Sequence, residues 1–333
     1  MLLVGPNLFR LPRIILLAVF VCGIGQGCAS RRPAPVVIEH QAIGNSQMPL
    51  SGAGLRLRCV TFNIWGLPSW MTGAPTGRYP RIAKELERLD PDIILLQEAW
   101  TSKARRSIPT NGQWAVARAA GQHTLFQQNG LVTLCKFPII GGEFYPFSQA
   151  AFPDRIVNKG VLKVSVQLPN GRVLNIWNVH MQDGGAKAVR GTQVRELIAR
   201  VQAAEDGQVA DLVGGDFNCT PESDLCRELL QGLGPSLQQL SGGPRFTTWD
   251  GLSKKPAPGQ MIDYIFIRER AILENLQASQ HVAFEANHRA ERLSDHFGIE
   301  GVLNLYSVHS VAGTVSSGAE NGQFPAILAH RAP

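Results

Sequence analysis

The residues of this chain best suited to chemistry stand in Gly214-Gly215-Asp216-Phe217-Asn218, which follows the apolar run Ala210-Asp211-Leu212-Val213 and leads into Cys219-Thr220-Pro221-Glu222. A short buried strand ending at a glycine pair can turn tightly. It leaves a carboxylate and a carboxamide two residues apart, on one side if the chain stays extended. Asp offers an anionic oxygen and Asn an oxygen or an amide donor, so the pair suits a hard cation or a phosphate. Taken alone, the stretch reads more readily as a polar turn making local backbone hydrogen bonds.

The elements that must position such residues are legible as alternations and stripes. Leu55, Leu57 and Cys59 alternate with Arg56, Arg58 and Val60, a strand that delivers Asn63 to its end. Ile82, Leu86 and Leu89 share one face of a helix stopped by Asp90-Pro91-Asp92. Ile93-Ile94-Leu95-Leu96 reads as a strand buried on both faces, with Gln97-Glu98 at its exit. Residues 130–135 and 161–166 are further strands, separated in part by a loop carrying Asp154 to Gly160. Pro169-Asn170-Gly171 is a turn signal, and Val173 to Val179 returns to His180. Val194, Leu197, Ile198 and Val201 form a helical stripe, and Leu225, Leu229 and Leu230 a shorter one.

Met261 to Ile267 is a strand in which Asp263 shares a face with Met261, Ile265 and Ile267, a costly place for a carboxylate without a partner. Ser294-Asp295-His296 precedes the last strand, Gly298 to Leu305. Singly, Glu98 reads as a solvated loop charge, and His180 and His296 as structural histidines. Together, Asn63, Glu98, His180, Asp216 with Asn218, Asp263 and Asp295 with His296 all fall at or near strand ends.

Composition bounds the rest. A chain of 333 residues with 44% apolar and 17% charged side chains can build a large core. Its net charge of +6 favours anionic phosphates or membrane surfaces, but it lacks the Lys/Arg runs of a dedicated nucleic-acid binder. Arg10 and Arg13 precede the apolar run Ile14 to Val21 and the small residues before Cys28, so residues 1–28 read as an export signal, with Gly27-Cys28 resembling a lipoprotein processing site. The expected location is therefore lipid-anchored in the cell envelope or secreted. Residues 29–54 have the composition of a flexible linker, 55–305 of the folded domain, and 306–333 of a polar tail. Cys219 and Cys226 are the close cysteine pair, open to a bridge or to two buried thiols.

In the order FNIWG, LLQE, NVH, GGDFN, MIDYIF and SDH, the chain resembles the endonuclease/exonuclease/phosphatase superfamily over about residues 55–305. The resemblance implies a four-layered α/β sandwich, two packed mixed β-sheets flanked by helices, with one or two divalent ions, Mg²⁺ by the hardness of the oxygen ligands. Carried over, it implies Glu98 as metal ligand with help from Asn63, which also binds substrate, Asp295 supporting the metal or the base, His296 as general base oriented by Asp263, Asp216 and Asn218 positioning phosphate and nucleophile, and His180 stabilising the phosphorus centre or leaving group. Within the superfamily the likeness is greatest to neutral sphingomyelinases. It rests on Asn63 to Pro68 with an arginine-bearing helix start, Asn158-Lys159-Gly160, and Thr248-Trp249-Asp250. Lys159 then becomes a phosphate contact; otherwise it is a surface lysine in a turn.

The expected reaction is hydrolysis of a phospholipid head group, sphingomyelin to ceramide and phosphocholine, on a membrane surface and with no obligate protein partner implied. An extracytoplasmic nuclease or phosphatase on the same residues is the alternative. Trp65, Trp70 and Trp249 are candidates for membrane contact without a defining sequence context.

Overall fold

The computed structural model describes residues 32–40, 55–72, 77–120, 129–204, 208–234, 236, 246–248, 259–269, 277–280 and 293–305. In chain order these form β1 (Ala34–His40), β2 (Leu55–Asn63), α1 (Ser69–Thr72), α2 (Arg78–Leu89), β3 (Ile93–Gln97), β4 (Ala115–Ala119), β5 (Val132–Cys135) and β6 (Ile139–Pro146). They continue with β7 (Gly160–Gln167), β8 (Val173–His180), α3 (Lys187–Ala203), β9 (Gln208–Asp216), α4 (Asp224–Leu233), β10 (Asp263–Glu269), β11 (Gln277–Gln280) and β12 (Ile299–Leu305). The export signal, its Cys28, the tail and Trp249-Asp250 lie outside the described residues.

The strands pair in the order β10-β9-β8-β7-β6-β1-β4-β5-β3-β2-β12-β11, a mixed sheet in which β2–β3 and β8–β9 are parallel. The sequence reading anticipated two separate sheets, whereas here one sheet runs through. The joint is β1, where Ala34 and Pro35 pair with β6 and Val36 to His40 pair with β4. Residues 34–40, which fall within the stretch of linker-like composition, form this strand. Val36-Val37-Ile38 is a β-branched run that suits a strand, and it finds partners on two strands distant in sequence, which composition alone does not reveal.

Alternation along the strands explains where the core sits. Ile93 and Leu95 of β3 join Leu57 and Cys59 of β2 in one cluster with Ile176, Leu212 and Ile265 from β8, β9 and β10, so the two arms of the sheet meet across a shared apolar layer. The alternate residues Ile94 and Leu96 face the other way, against Ile82, Leu86 and Leu89 of α2. On the opposite arm Trp177, Val213 and Phe266 pack on Val194, Leu197 and Val201 of α3 and on Leu229 and Leu233 of α4. A strand with apolar neighbours on both faces loses its polar alternation, as the Ile93 to Leu96 run shows. Cys59, Cys135, Cys219 and Cys226 are free and buried, so the close pair stands as two thiols.

Candidate active site

Strand register brings the chemistry together. His180 at the end of β8 lies opposite Asp216 at the end of β9, and Asp216 lies opposite Asp263 at the start of β10. Gly215 has φ 148, and a Cβ there would collide with the Val179 carbonyl, so this crossing of β8 and β9 requires glycine. On the other arm Asn63 pairs with Gln97, and Glu98 then takes a left-handed φ of 61. Asn63 joins the arms, its Nδ2 donating to Glu98 Oε1 at 3.2 Å and to Asp216 Oδ2 at 3.0 Å.

A second bridge between the arms is the His296 ring. Its Nδ1–H donates to Asp263 Oδ2 at 2.8 Å, and its Nε2 faces Asp216 Oδ2 at 3.9 Å. The same Asp263 oxygen accepts from Thr247 Oγ1 at 2.6 Å, while the Asp263 backbone N–H donates to that hydroxyl at 3.1 Å. The carboxylate is thereby held in one orientation, which fixes the imidazole tautomer. His180 Nε2 stands 3.7 Å from Asp216 Oδ2, and its buried Nδ1 has no partner among the described residues.

Burial and crowding of like charges dominate the electrostatics. Desolvation and the neighbouring Asp263 push Asp216 up to about 7. Desolvation, and then the charge of Asp295, raise Glu98; desolvation also raises Asp295. Desolvation acts to lower His296, but Asp263, Asp216 and Asp295 outweigh it and hold the ring well above its ordinary value. His180 moves well below its ordinary value, through burial first and then the charges of Lys159 and His296.

Asn63, Glu98, Lys159, His180, Asp216, Asn218, Asp263, Asp295 and His296 converge at this end of the sheet. Asn218 has φ 51; its N–H donates to Asp216 Oδ1 at 3.0 Å and its Nδ2 to the Met181 carbonyl at 3.2 Å. Lys159 is not a surface lysine. Its ammonium is buried, 2.7 Å from Asp154 Oδ2 and 2.9 Å from the Met181 carbonyl, and its charge acts on Glu98, Asp216 and His180.

The sequence reading missed the supports. Gln97 Nε2 donates to Asn178 Oδ1 at 2.8 Å, and Asn178 Nδ2 donates to the Leu96 and Val132 carbonyls at 3.0 Å each, a buried amide tie between β8 and the β3–β5 arm. Trp100 Nε1 donates to Glu98 Oε2 at 3.3 Å, and its ring centroid lies 5.9 Å from that of His180. A polar residue inside an otherwise apolar strand, as at Gln97 and Asn178, was the available signal. Nothing local marked Trp100 or Thr247.

Two groupings of donors could hold a cation. Oxygens of Asp216 and Asp263 and a ring nitrogen of His296 lie within 4.8 Å of one another, but His296 and Asp263 are already bonded to each other. Glu98 and Asp295 present hard carboxylate oxygens, and the charge of Asp295 raises Glu98 although Lys159, His296 and Arg78 act against these shifts; beside them the Asn63 Nδ2 faces Glu98 while its Oδ1 accepts from the Trp65 N–H at 3.0 Å. That donor set fits Mg²⁺ chemistry.

The chain belongs to the endonuclease/exonuclease/phosphatase family, whose model matches residues 60–296. It is 30% identical over 179 residues to an inositol phosphosphingolipids phospholipase C of Schizosaccharomyces pombe, covering 50% of this chain and 42% of that protein. It is 24% identical over 277 residues to a putative neutral sphingomyelinase of Drosophila melanogaster, covering 76% of this chain and 62% of that protein. The chain thus spans about half the length of the curated relatives it matches. Among solved structures it resembles SmcL, with a TM-score of 0.62 and 20% identity over 75% of this chain and 99% of that one. It also resembles a variant of beta toxin from Staphylococcus aureus with bound magnesium ions, with a TM-score of 0.58 and 17% identity over 74% and 99%. At these identities the structural likeness establishes the fold.

Proposed function

We propose that this protein is a Mg²⁺-dependent phosphodiesterase that hydrolyses the head-group phosphodiester of a sphingolipid, sphingomyelin to ceramide and phosphocholine. The observation that carries the reading is the Asp263–His296 pair aimed at Asp216, beside the carboxylates of Glu98 and Asp295 and the Asn63 amide bonded to Glu98. His296 Nε2 takes the proton of the attacking water while Nδ1–H stays on Asp263, and Thr247 keeps that carboxylate from turning. Asp216 and Asn218 orient water and phosphate. His180 and Lys159 stand where negative charge grows on the phosphoryl oxygens and the departing alkoxide. Asn63, Glu98 and Asp295 would hold the ion, which when bound neutralises non-bridging phosphate oxygens and offsets the carboxylates around His296.

The three apolar clusters support reading the arms of the sheet as the two inner layers of a four-layered sandwich, with α2 on one side and α3 and α4 on the other. The relatives' names supply the lipid class. The decisive assay follows phosphocholine release from sphingomyelin vesicles with Mg²⁺ and again with EDTA. Nicking of plasmid DNA without lipid turnover would replace this reading with the nuclease one.

The lipid reading also gives Trp70 a context. It is 60% exposed on α1 beside Met71 at 43%, in the segment leaving the Asn63 strand, and Phe152 at 47% lies in the loop leading to Lys159. Exposed apolar side chains at a site rim suit entry into lipid. The double substitution Trp70→Ala and Met71→Ala is expected to lower turnover on vesicles about tenfold, equivalent to ~1.4 kcal/mol, while hydrolysis of a water-soluble phosphodiester stays unchanged. Equal losses on both substrates would remove α1 from the lipid contact.

A further inference from the structure

We propose that Arg78 is the positioning residue for the group formed by Asn63, Glu98 and Asp295, because it clamps together the two chain segments that carry Asn63 and Asp295. The inference rests on reading that cluster as the cation site. Antiparallel pairing of β2 with β12 runs from Leu55 opposite Leu305 to Thr61 opposite Ile299 and goes no further. Past that point the segments bearing Asn63 and Asp295 continue side by side without a ladder, yet their backbones must stay in register for the side chains to converge.

The Arg78 guanidinium takes the place of the missing ladder. Nη1 donates to the Ile64 carbonyl at 2.5 Å and to the Leu293 carbonyl at 2.6 Å, while Nη2 donates to the Trp65 carbonyl and to Tyr79 Oη at 3.1 Å. Three backbone carbonyls from the two segments are thus held by one planar group. The hydroxyl of Ser294 adds a bond to the Asn63 carbonyl at 2.6 Å. The guanidinium carbon lies 4.3 Å from the Tyr79 ring centroid and 5.6 Å from that of Trp65, so its plane is packed as well as bonded.

The position is an expensive one for a cation. Arg78 is buried, and it opens α2, where the helix dipole disfavours positive charge. The charges of Asp295 and Glu98 act on it, but its hydrogen bonds go to carbonyls and a phenol. What the place demands is a rigid fork of N–H donors able to span several carbonyls at once. Lysine carries the same charge as a compact group with three tetrahedral donors and no plane. Arg78→Lys therefore separates the clamp from the charge.

The test uses the full chain and Mn²⁺ as probe, with binding followed by calorimetry and unfolding followed separately in EDTA. Arg78→Lys is expected to weaken Mn²⁺ binding tenfold or more while remaining folded. Mn²⁺ binding within twofold of wild type would overturn the clamp, whatever happens to the melting temperature. If Arg78→Lys is too unstable to titrate, Ser294→Ala carries the test, because it removes the companion bond between the same two segments. A threefold weakening supports the clamp and unchanged binding overturns it. A wild-type chain that binds no Mn²⁺ would refute the cation site itself, an outcome distinct from failure of the clamp alone.

Discussion

His296→Ala should lower phosphodiester turnover by about 10³-fold or more at saturating Mg²⁺, measured on the fraction that stays folded. Loss of a positioned general base costs on the order of 10²–10⁴ in rate. In the proposed mechanism the ring is also the group through which Asp263 and Thr247 would act on the attacking water. The change costs stability by leaving the buried Asp263 carboxylate with Thr247 as its remaining side-chain donor, while the flanking contacts are made by other groups. Ser294 bonds the Asn63 carbonyl, and the Phe297 N–H donates to the Thr247 carbonyl at 2.7 Å. Steady-state phosphocholine release, normalised to the folded fraction, measures the effect. Residual activity within tenfold of wild type would mean that another group removes the water's proton, and the role assigned to His296 would fall.

The second large effect belongs to a residue that touches no substrate. Asn178→Leu should destabilise the protein by about 3 kcal/mol, because it strips the donor from two buried carbonyls and the acceptor from Gln97, and each unsatisfied buried group costs ~1–3 kcal/mol. For a domain of this size that corresponds to a fall of about 10 °C in melting temperature. Turnover should fall as well, by on the order of 10²-fold, since the amide tie sets the arm carrying Glu98 against the arm carrying His180, Asp216 and Asp263.

Combining Gln97→Leu with Asn178→Leu should cost less than the sum of the single changes, because each single change breaks the same Gln97–Asn178 bond and strands the surviving partner, whereas the double change strands neither. Thermal unfolding of the four proteins in the cycle, with kcat and KM measured for each, reads both consequences. Strict additivity would mean that the two amides do not act as a unit.

Much of this molecule is written locally. The runs Leu55 to Asn63, Ile93 to Gln97, Val173 to His180 and Asp263 to Ile267 announce themselves through period-two alternation or unbroken apolarity. The acids, amides and imidazoles stand where those runs stop, because a strand end is where a chain can leave the core and expose a polar side chain. The family words lie on the same stretches, which is why fold class and reactive residues could be named together. The strand Ala34–His40 escaped notice because its stability comes from two distant partners, and the Gly-rich Ile139–Pro146 and alanine-rich Ala115–Ala119 carry weak strand patterns of their own.

Residue types and their order along the chain were enough to nominate His296, Asp263, Asp216 and Glu98, since each side chain's reactivity is its own. Which of them share a proton, which carboxylates crowd one another, and that Lys159 is buried on Asp154 depended on register between strands tens to hundreds of residues apart. The same holds for the Gln97–Asn178 tie and the Arg78 clamp. Hydrogen bonds and charge interactions act over a few ångströms of space, and distances of that kind are settled by packing the two arms of the sheet together.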